Sequence, residues 1–259
     1  METRFENKTA IVTGASSGIG KSIALRMARE GACVCATANR NVEGGEAAVR
    51  EICASGGRAI FVHADVSAAA DCGRTAGETI EAFGRIDILV NNAGITRGRP
   101  LAELEEDFWD TVMDTNLKSV YLMSRAVIAD MLSRGAGSVV NISSVHARQT
   151  RPPLAVYAAS KAGMCGLTRG LALEFGGRGI RFNAVLPGTI DISLHPRDNR
   201  VVDRGSWAPR RDKVQVMGRH ASPDEVAAAV CFLASDEASY VNGAALAVDG
   251  GLLCNLKDT

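Results

Sequence analysis

The sequence predicts one doubly wound α/β domain, a parallel β-sheet with helices on both faces, and three observations carry the prediction. Short, wholly apolar runs recur along the chain, helix-length segments with a helical apolar period separate them, and a glycine-rich turn joins the first run to the first such segment. Runs that show no polar alternation suit strands covered on both faces, the condition of a parallel sheet flanked by helices.

The runs are Ala10-Ile11-Val12, Val34 to Ala36, Ala59 to Val62, Ile86 to Val90, Val139 to Ile142, Ile180 to Leu186 and Ala244 to Val248. Each is expected to be a strand. Between the first two, Ile19, Ile23 and Met27 recur at helical spacing; Leu117, Val120, Tyr121, Ser124 and Val127 do the same before the fifth. Ala155 to Phe175 keeps helical period without a proline. Ser222-Pro223-Asp224-Glu225 opens a last helix, with Ser222 as N-cap, proline in the first position and glutamate in the third. Only 188–215 breaks the pattern. It holds Pro196, Pro209, Gly205, Trp207 and six Arg or Lys residues, and is expected to form a loop or short-helix lid within a single domain of residues 1–259.

Composition narrows the function. With 46% hydrophobic residues the chain can bury a sizeable core, and 29 basic residues offset 29 acidic ones, so no global field draws it to nucleic acid or an anionic membrane. A small-molecule partner is expected. No apolar run is long enough to span a bilayer, and Glu2, Arg4, Glu6 and Lys8 spoil a signal-peptide reading, so the expected location is cytoplasmic. The seven cysteines contain no C-x-x-C pair and read as thiols in a reducing compartment. The four histidines lack metal-ligand spacing, and no metal is expected.

Thr13-Gly14-Ala15-Ser16-Ser17-Gly18-Ile19-Gly20 follows the first strand and opens the first helix. Glycines keep such a turn tight and bring backbone N–H groups, with the positive end of the helix dipole, up to a dinucleotide pyrophosphate; this is the Rossmann-type arrangement. The spacing is G-x-x-x-G-x-G. With Asn91-Asn92-Ala93-Gly94, Asn116, Ser144, Tyr157-x-x-x-Lys161, Pro187-Gly188 and Val248-Asp249-Gly250-Gly251 in order, the chain resembles the short-chain dehydrogenase/reductase family, in its 3-oxoacyl-thioester reductase-like branch. The resemblance spans nearly the whole chain.

Tyr157 and Lys161 lie one turn apart on one face of a helix, and Ser144 follows the fifth strand, where α/β active sites lie. A phenol of ordinary pKa ~10 exchanges protons poorly near neutral pH; an ammonium about 4 Å away contributes about 4 kcal/mol toward the phenolate at an effective dielectric of ~20, enough to correct that. In reduction Tyr157 protonates the carbonyl oxygen, in oxidation it takes the alcohol proton, and Ser144 hydrogen-bonds the same oxygen. Ser143 is expected to point to the other face of the strand. The resemblance implies that Asn116 holds a water in a proton relay to Lys161, and that Lys161 also binds the nicotinamide ribose. It further implies that Asp65 and Val66 contact the adenine, Asn92, Ala93 and Gly94 the adenosine side, and Pro187, Gly188 and Ile190 the nicotinamide. One position departs from the family's pattern: Ile192, followed by Ser193, stands where threonine is usual.

Where NAD-selective sites carry a carboxylate at the end of the second strand, this chain reads Ala36-Thr37-Ala38-Asn39-Arg40. Ala38 in that place, with Asn39 and the Arg40 cation beside it, points to NADP; with Arg40 a surface residue, the reading is NAD. The expected activity is reversible reduction of a ketone, a 3-oxoacyl thioester or another polar carbonyl compound. An NAD-dependent sugar or polyol dehydrogenase of the same family is the alternative. Arg97, Arg148, Arg151 and His146 follow the site motifs and favour a polar or anionic substrate. A catalytically silent nucleotide-sensing module is the rival of another class, and the presence of Asn116, Ser144, Tyr157 and Lys161 together argues against it. The resemblance also implies a homotetramer, with the small residues Ala158, Ala159, Ala162, Gly163 and Gly166 allowing close helix packing.

Overall fold

The computed structural model describes residues 3–192 and 216–255. Its order is β1 (Thr9–Thr13), α1 (Gly18–Arg29), β2 (Cys33–Ala38), α2 (Val42–Ala54), β3 (Arg58–His63), α3 (Ala69–Phe83) and β4 (Ile88–Asn91) in the first half. The second half runs α4 (Glu106–Met113), α5 (Ser119–Arg134), β5 (Gly137–Ile142), α6 (Ala155–Phe175), β6 (Ile180–Pro187), α7 (Pro223–Ala234) and β7 (Ala245–Val248). All seven strands are parallel, in the order β3-β2-β1-β4-β5-β6-β7. The sheet is the expected doubly wound one.

Alternation along the strands explains why both faces are covered. Ala10 and Val12 of β1 join Val34, Val140 and Val185 in a core with Ile23 and Met27 of α1 and Val226 and Val230 of α7. Ile11, between them, points the other way, into a core of Leu89, Val139 and Phe182 with Met123 and Val127 of α5. Every residue of β1 is therefore buried, which only apolar or hydrogen-bonded side chains tolerate.

Most strands run one or two residues beyond the apolar runs, while two start later than expected. β4 starts at Ile88 because the Ile86 N–H is taken by the Asp130 carboxylate at 2.8 Å, and β7 starts at Ala245 because the Ala244 N–H is taken by Asn183 Oδ1 at 3.0 Å. The helix holding Asn116 also differs. Asp114–Lys118 is a π-helical segment between α4 and α5, and beyond it Tyr121 is 45% exposed, not part of the buried stripe. At the last helix, Glu225 Oε2 accepts the Ser222 N–H at 2.9 Å and pairs with Arg219. Of the expected lid, residues 193–215 lie outside the described residues, with Ser193, Pro196, Gly205, Trp207, Pro209 and the six cations.

The polar interior ties β4, β5 and α6 together. Asn91 Nδ2 donates to Asn141 Oδ1 at 2.9 Å, Asn141 Nδ2 donates to Thr168 Oγ1 at 2.9 Å, and the Thr168 hydroxyl donates to the Met164 carbonyl at 2.8 Å. Asn141 is wholly buried. Asn141→Ala strands two buried partners, so it is expected to lower the unfolding free energy by about 1–3 kcal/mol; urea unfolding with unchanged m-value checks it.

Candidate active site

The strand order reverses between β1 and β4, because the chain winds outward through β2 and β3 and then returns to start β4 on the other side of β1. A crevice opens at the carboxyl ends of strands at such a switch point. Here Gly14 follows β1 and Ala93-Gly94 follows β4. Thr13 couples them: its Oγ1 accepts the N–H groups of Asn92 and Ala93 at 2.9 and 3.0 Å, while Asn92 Nδ2 donates to the carbonyls of Thr13 and Gly14. Gly14 has φ +65°, and a Cβ there would sit 2.9 Å from Ala93 Cα. No larger residue fits.

A groove of about 680 Å³ runs from this turn over the ends of β2 and β3. Gly14, Ser16, Asn39, Arg40, Asp65, Val66, Ala93 and Gly94 line it, which gathers one half of the expected cofactor residues. Hydrogen bonds from Ser67, and from Asn39, hold the Asp65 carboxyl below the usual carboxylate range. Across the groove stand Asp107, Asp110 and Asp114, which the sequence reading did not single out. A smaller recess of about 190 Å³ shares Gly94 with the groove and is lined by Ile19, Asn92, Ser144, Tyr157, Lys161, Pro187 and Gly188. Seven more of the expected residues meet here, while Ser17, Gly18, Gly20, Asn116 and Ile190 line neither space.

Local structure aims these side chains. α6 buries Tyr157 and Lys161 on its sheet-facing side. Lys161 Nζ donates to the Ile142 carbonyl at the end of β5 at 2.8 Å and lies 5.8 Å from the centre of the Tyr157 ring. Burial pushes the Lys161 ammonium down to about 8. Ser144 caps a short 3-10 turn, Val145–Ala147, and its Oγ accepts the His146 N–H at 3.2 Å, which leaves its own proton to donate. Ser143 also borders the recess, but its hydroxyl is spent on the Lys161 carbonyl, to which it donates at 2.8 Å.

Asn116 is wholly buried behind Gly94. Its Oδ1 accepts the Ile95 N–H at 2.8 Å, and its Nδ2 donates to the Ile95 carbonyl and to Ser160 Oγ. The wide π turn swings it inward, a distortion frequent at functional sites. A Cβ on Gly94 would lie 3.2 Å from Asn116 Oδ1 and 3.4 Å from Lys161 Nζ. The floor of the site is therefore bare backbone beside an ammonium.

The family description "Enoyl-(Acyl carrier protein) reductase" matches residues 14–253. A 3-oxoacyl-(acyl-carrier-protein) reductase of Thermotoga maritima is 39% identical over 250 residues, 96% of this chain and 99% of that one. The chain belongs to the short-chain dehydrogenase/reductase family. A D-threitol dehydrogenase of Mycolicibacterium smegmatis is 40% identical over 252 residues, 96% of this chain and 94% of that one. The crystal structure of a putative short-chain alcohol dehydrogenase from Sinorhizobium meliloti superimposes with a TM-score of 0.90 at 34% identity, covering 99% of this chain and 100% of that one. As a short-chain dehydrogenase/reductase the protein is an NAD(P)-dependent oxidoreductase acting on CH–OH groups.

Within that family fold, several expected contacts fall elsewhere. Gly20 packs against the Gly14 carbonyl and Asn92 Nδ2, so it closes the turn from behind. Ser17 is the N-cap of α1 and makes no side-chain capping bond, and no carboxylate stands in the first turn, which leaves that helix end suited to an anion. Ile190, half-buried, packs on the hydrophobic core and bridges to Ala221. Ile192 reaches back to Gly18, whose Cβ position is 3.4 Å from Ile192 Cγ2. Arg148 donates to the Ala245 carbonyl at 3.0 Å and is engaged at β7, away from the recess, correcting its expected place. Thr13 and Asn91 stand in the sequence only as members of motifs, with no bracing role assigned, and Asn141 and Thr168 are not marked there at all; a polar residue in an apolar strand is the signal that marks Asn141.

Proposed function

We propose that the protein reversibly reduces a polar ketone to a secondary alcohol with NADP(H), Tyr157 supplying and recovering the proton. The observation that carries this is the meeting of Tyr157, Lys161 and Ser144 in one recess that shares Gly94 with a dinucleotide-sized groove. The cradle fits the cofactor: Gly14 and Gly94 leave backbone where a Cβ would collide or crowd, and Ser16, Ser17, Gly18 and Ile19 present the start of α1 to a pyrophosphate. Asn39, Arg40, Asp65 and Val66 would hold the adenosine end, and Lys161, Pro187 and Gly188 the nicotinamide end. Bound there, the nicotinamide supplies or accepts the hydride.

The chain's own groups handle the oxygen. Ser144, its lone pair taken by the His146 N–H, donates its proton to the substrate oxygen and holds it beside the Tyr157 hydroxyl. Tyr157 gives its proton as negative charge grows on that oxygen, and the Lys161 ammonium stabilises the phenolate left behind. Asn116 has both amide protons engaged, so the free lone pair on Oδ1 is what its side chain offers a relay water. Turnover of a panel of ketones, 3-oxoacyl thioesters and alcohols, each with both cofactors, tests the reading; absence of any nicotinamide turnover would leave the nucleotide-sensing alternative.

A second cofactor reading has one observation in its favour. Asp65, Asp107, Asp110 and Asp114 line the adenosine groove with Arg40 as its one Lys or Arg among the described residues, and carboxylates repel a 2′-phosphate. That wall favours NAD, as the polyol dehydrogenase alternative would have it. We keep NADP because Arg40 sits at the ribose end of β2 beside Ala38, which offers no acceptor for a free ribose.

We also propose a homotetramer and a cytoplasmic location, the latter consistent with seven free thiols. Met113, Leu117, Tyr121, Gly163, Gly166 and Leu167 line an open groove of about 570 Å³ between the π segment and α6. A Cβ on Gly163 would meet Leu117 Cδ2 at 2.9 Å, so the helices are already in contact beneath a shallow apolar face that a second copy can cover. Light scattering at micromolar concentration is expected to give four times the chain mass, and a monomer would overturn the assembly.

A further inference from the structure

His146 lies outside the family motifs and borders the recess, yet the structure ties it to two of the site residues, Tyr157 and Ser144. Its ring packs edge-to-face on Tyr157, with centroids 5.6 Å apart and planes at 70°. Its main-chain N–H donates to Ser144 Oγ. Its Nδ1 is held by Thr150 Oγ1 at 3.0 Å, and among the described residues its Nε2 has no hydrogen-bond partner. The turn beneath it is anchored by buried Val145 and by the Arg148 guanidinium on Ala245. The imidazole is thus fixed at χ by its ring contact and its Nδ1 bond, with one nitrogen left to use.

We propose that His146 is a specificity-determining residue whose Nε2 hydrogen-bonds a second substrate oxygen, on the carbon next to the reacting one. The protein would then act on vicinal hydroxy ketones and diols ahead of simple ketones and alcohols. This rests on Tyr157 and Ser144 holding the reacting oxygen. His146 touches both of those residues, one through its ring and the other through its backbone, so the nearest place for a further polar group of the substrate is one carbon away. The Thr150 hydroxyl can donate to Nδ1 or accept from it, so Nε2 serves a hydroxyl or a carbonyl oxygen with equal ease. Burial, and then the Arg151 guanidinium, hold the imidazole below its ordinary pKa, so the ring is neutral at pH 7 and suits an uncharged polyol. Nε2 belongs to a half-buried ring, so the discrimination comes from the hydrogen bond that a diol or hydroxy ketone gains there and a simple ketone does not.

The test compares kcat/KM for matched pairs, butane-2,3-diol against butan-2-ol and cyclohexane-1,2-diol against cyclohexanol, in the wild type, His146→Ala and His146→Asn. The wild type is expected to favour the diols by about ten- to a hundredfold, the effect of one or two hydrogen bonds. His146→Ala should bring the ratio close to one, and His146→Asn, whose carboxamide can still reach, should keep part of the preference. A wild-type ratio near one, turnover confined to 3-oxoacyl thioesters, or an equal loss on both members of a pair in His146→Ala would overturn the proposal and leave the oxidoreductase reading standing. Retained turnover in Tyr157→Phe would instead overturn the reading beneath it.

Discussion

Tyr157→Phe is expected to lower turnover by roughly two to four orders of magnitude while cofactor affinity stays nearly unchanged. The substitution removes one oxygen from a ring that is buried against His146 and Lys161, so the packing of α6 survives and the loss is confined to the proton. Stopped-flow or steady-state kinetics with direct cofactor titration checks both halves, and retained turnover sinks the assignment. Lys161→Met should damage turnover and cofactor binding together, because in the proposed mechanism the ammonium beside Tyr157 and Gly94 serves both the phenol and the nicotinamide ribose. In the reduction direction kcat/KM should fall above about pH 8, where the buried Lys161 loses its proton. Stability moves the opposite way. The folded pKa of about 8 lies below the ordinary 10.5, so between those values the unfolded chain binds more protons and the unfolding free energy rises with pH. That rise should be smaller in Lys161→Met, as measured by urea unfolding across the same window.

The sheet was legible because a parallel strand is buried on both faces and must be apolar along its whole length, as Thr9–Thr13 and Ile88–Asn91 nearly are. α6 was legible from end to end, since twenty-one residues of helical period ran without interruption. α3 was not, because its buried stripe, Cys72, Thr75, Ala76 and Thr79, keeps helical spacing but is made of small and polar residues, and Gly73 and Gly77 on its open side resist a helical reading. The π segment escaped for a different reason. Its wider turn lies at Asp114–Lys118, and no residue type there announces it; beyond it Val120, Ser124 and Val127 are buried as expected, and only Tyr121, at the edge of that stripe, reaches solvent.

Of the site, the roles of the residues that face the crevice were legible and the roles of those that hold it up were not. Ser144, Tyr157 and Lys161 bear chemistry that needs those residue types, whereas Thr13, Asn91 and Asn141 act through hydrogen bonds to backbone and to buried polar neighbours such as Thr168. Arg148 was misplaced because a cation next to a motif says nothing of which way its guanidinium turns; the Ala245 carbonyl decides that. Gly20 and Asn92 carry a related lesson. Both belong to family motifs, and the structure spends both on closing the phosphate turn.

Cofactor choice turns on the end of β2, where Ala38 and Arg40 line the adenosine groove. Arg40→Ala should weaken NADPH binding by about 1.5–3 kcal/mol, the range for a hydrogen bond to a charged group, with a much smaller loss for NADH. Ala38→Asp should go further and invert the preference. Ala38 is 5% exposed and its carbonyl already accepts the Ala64 N–H at 3.1 Å, so the strand end is fixed and a carboxylate there can only extend into the groove. It would accept from both ribose hydroxyls of NADH and repel a 2′-phosphate, adding to the negative wall of Asp65, Asp107, Asp110 and Asp114. A melting temperature close to that of the wild type separates this effect from damage at the buried position. Kinetics of the wild type with both cofactors come first: a several-fold preference for NADH would mean that the four carboxylates outweigh Arg40, and that Asn39 and the local backbone already serve the free ribose.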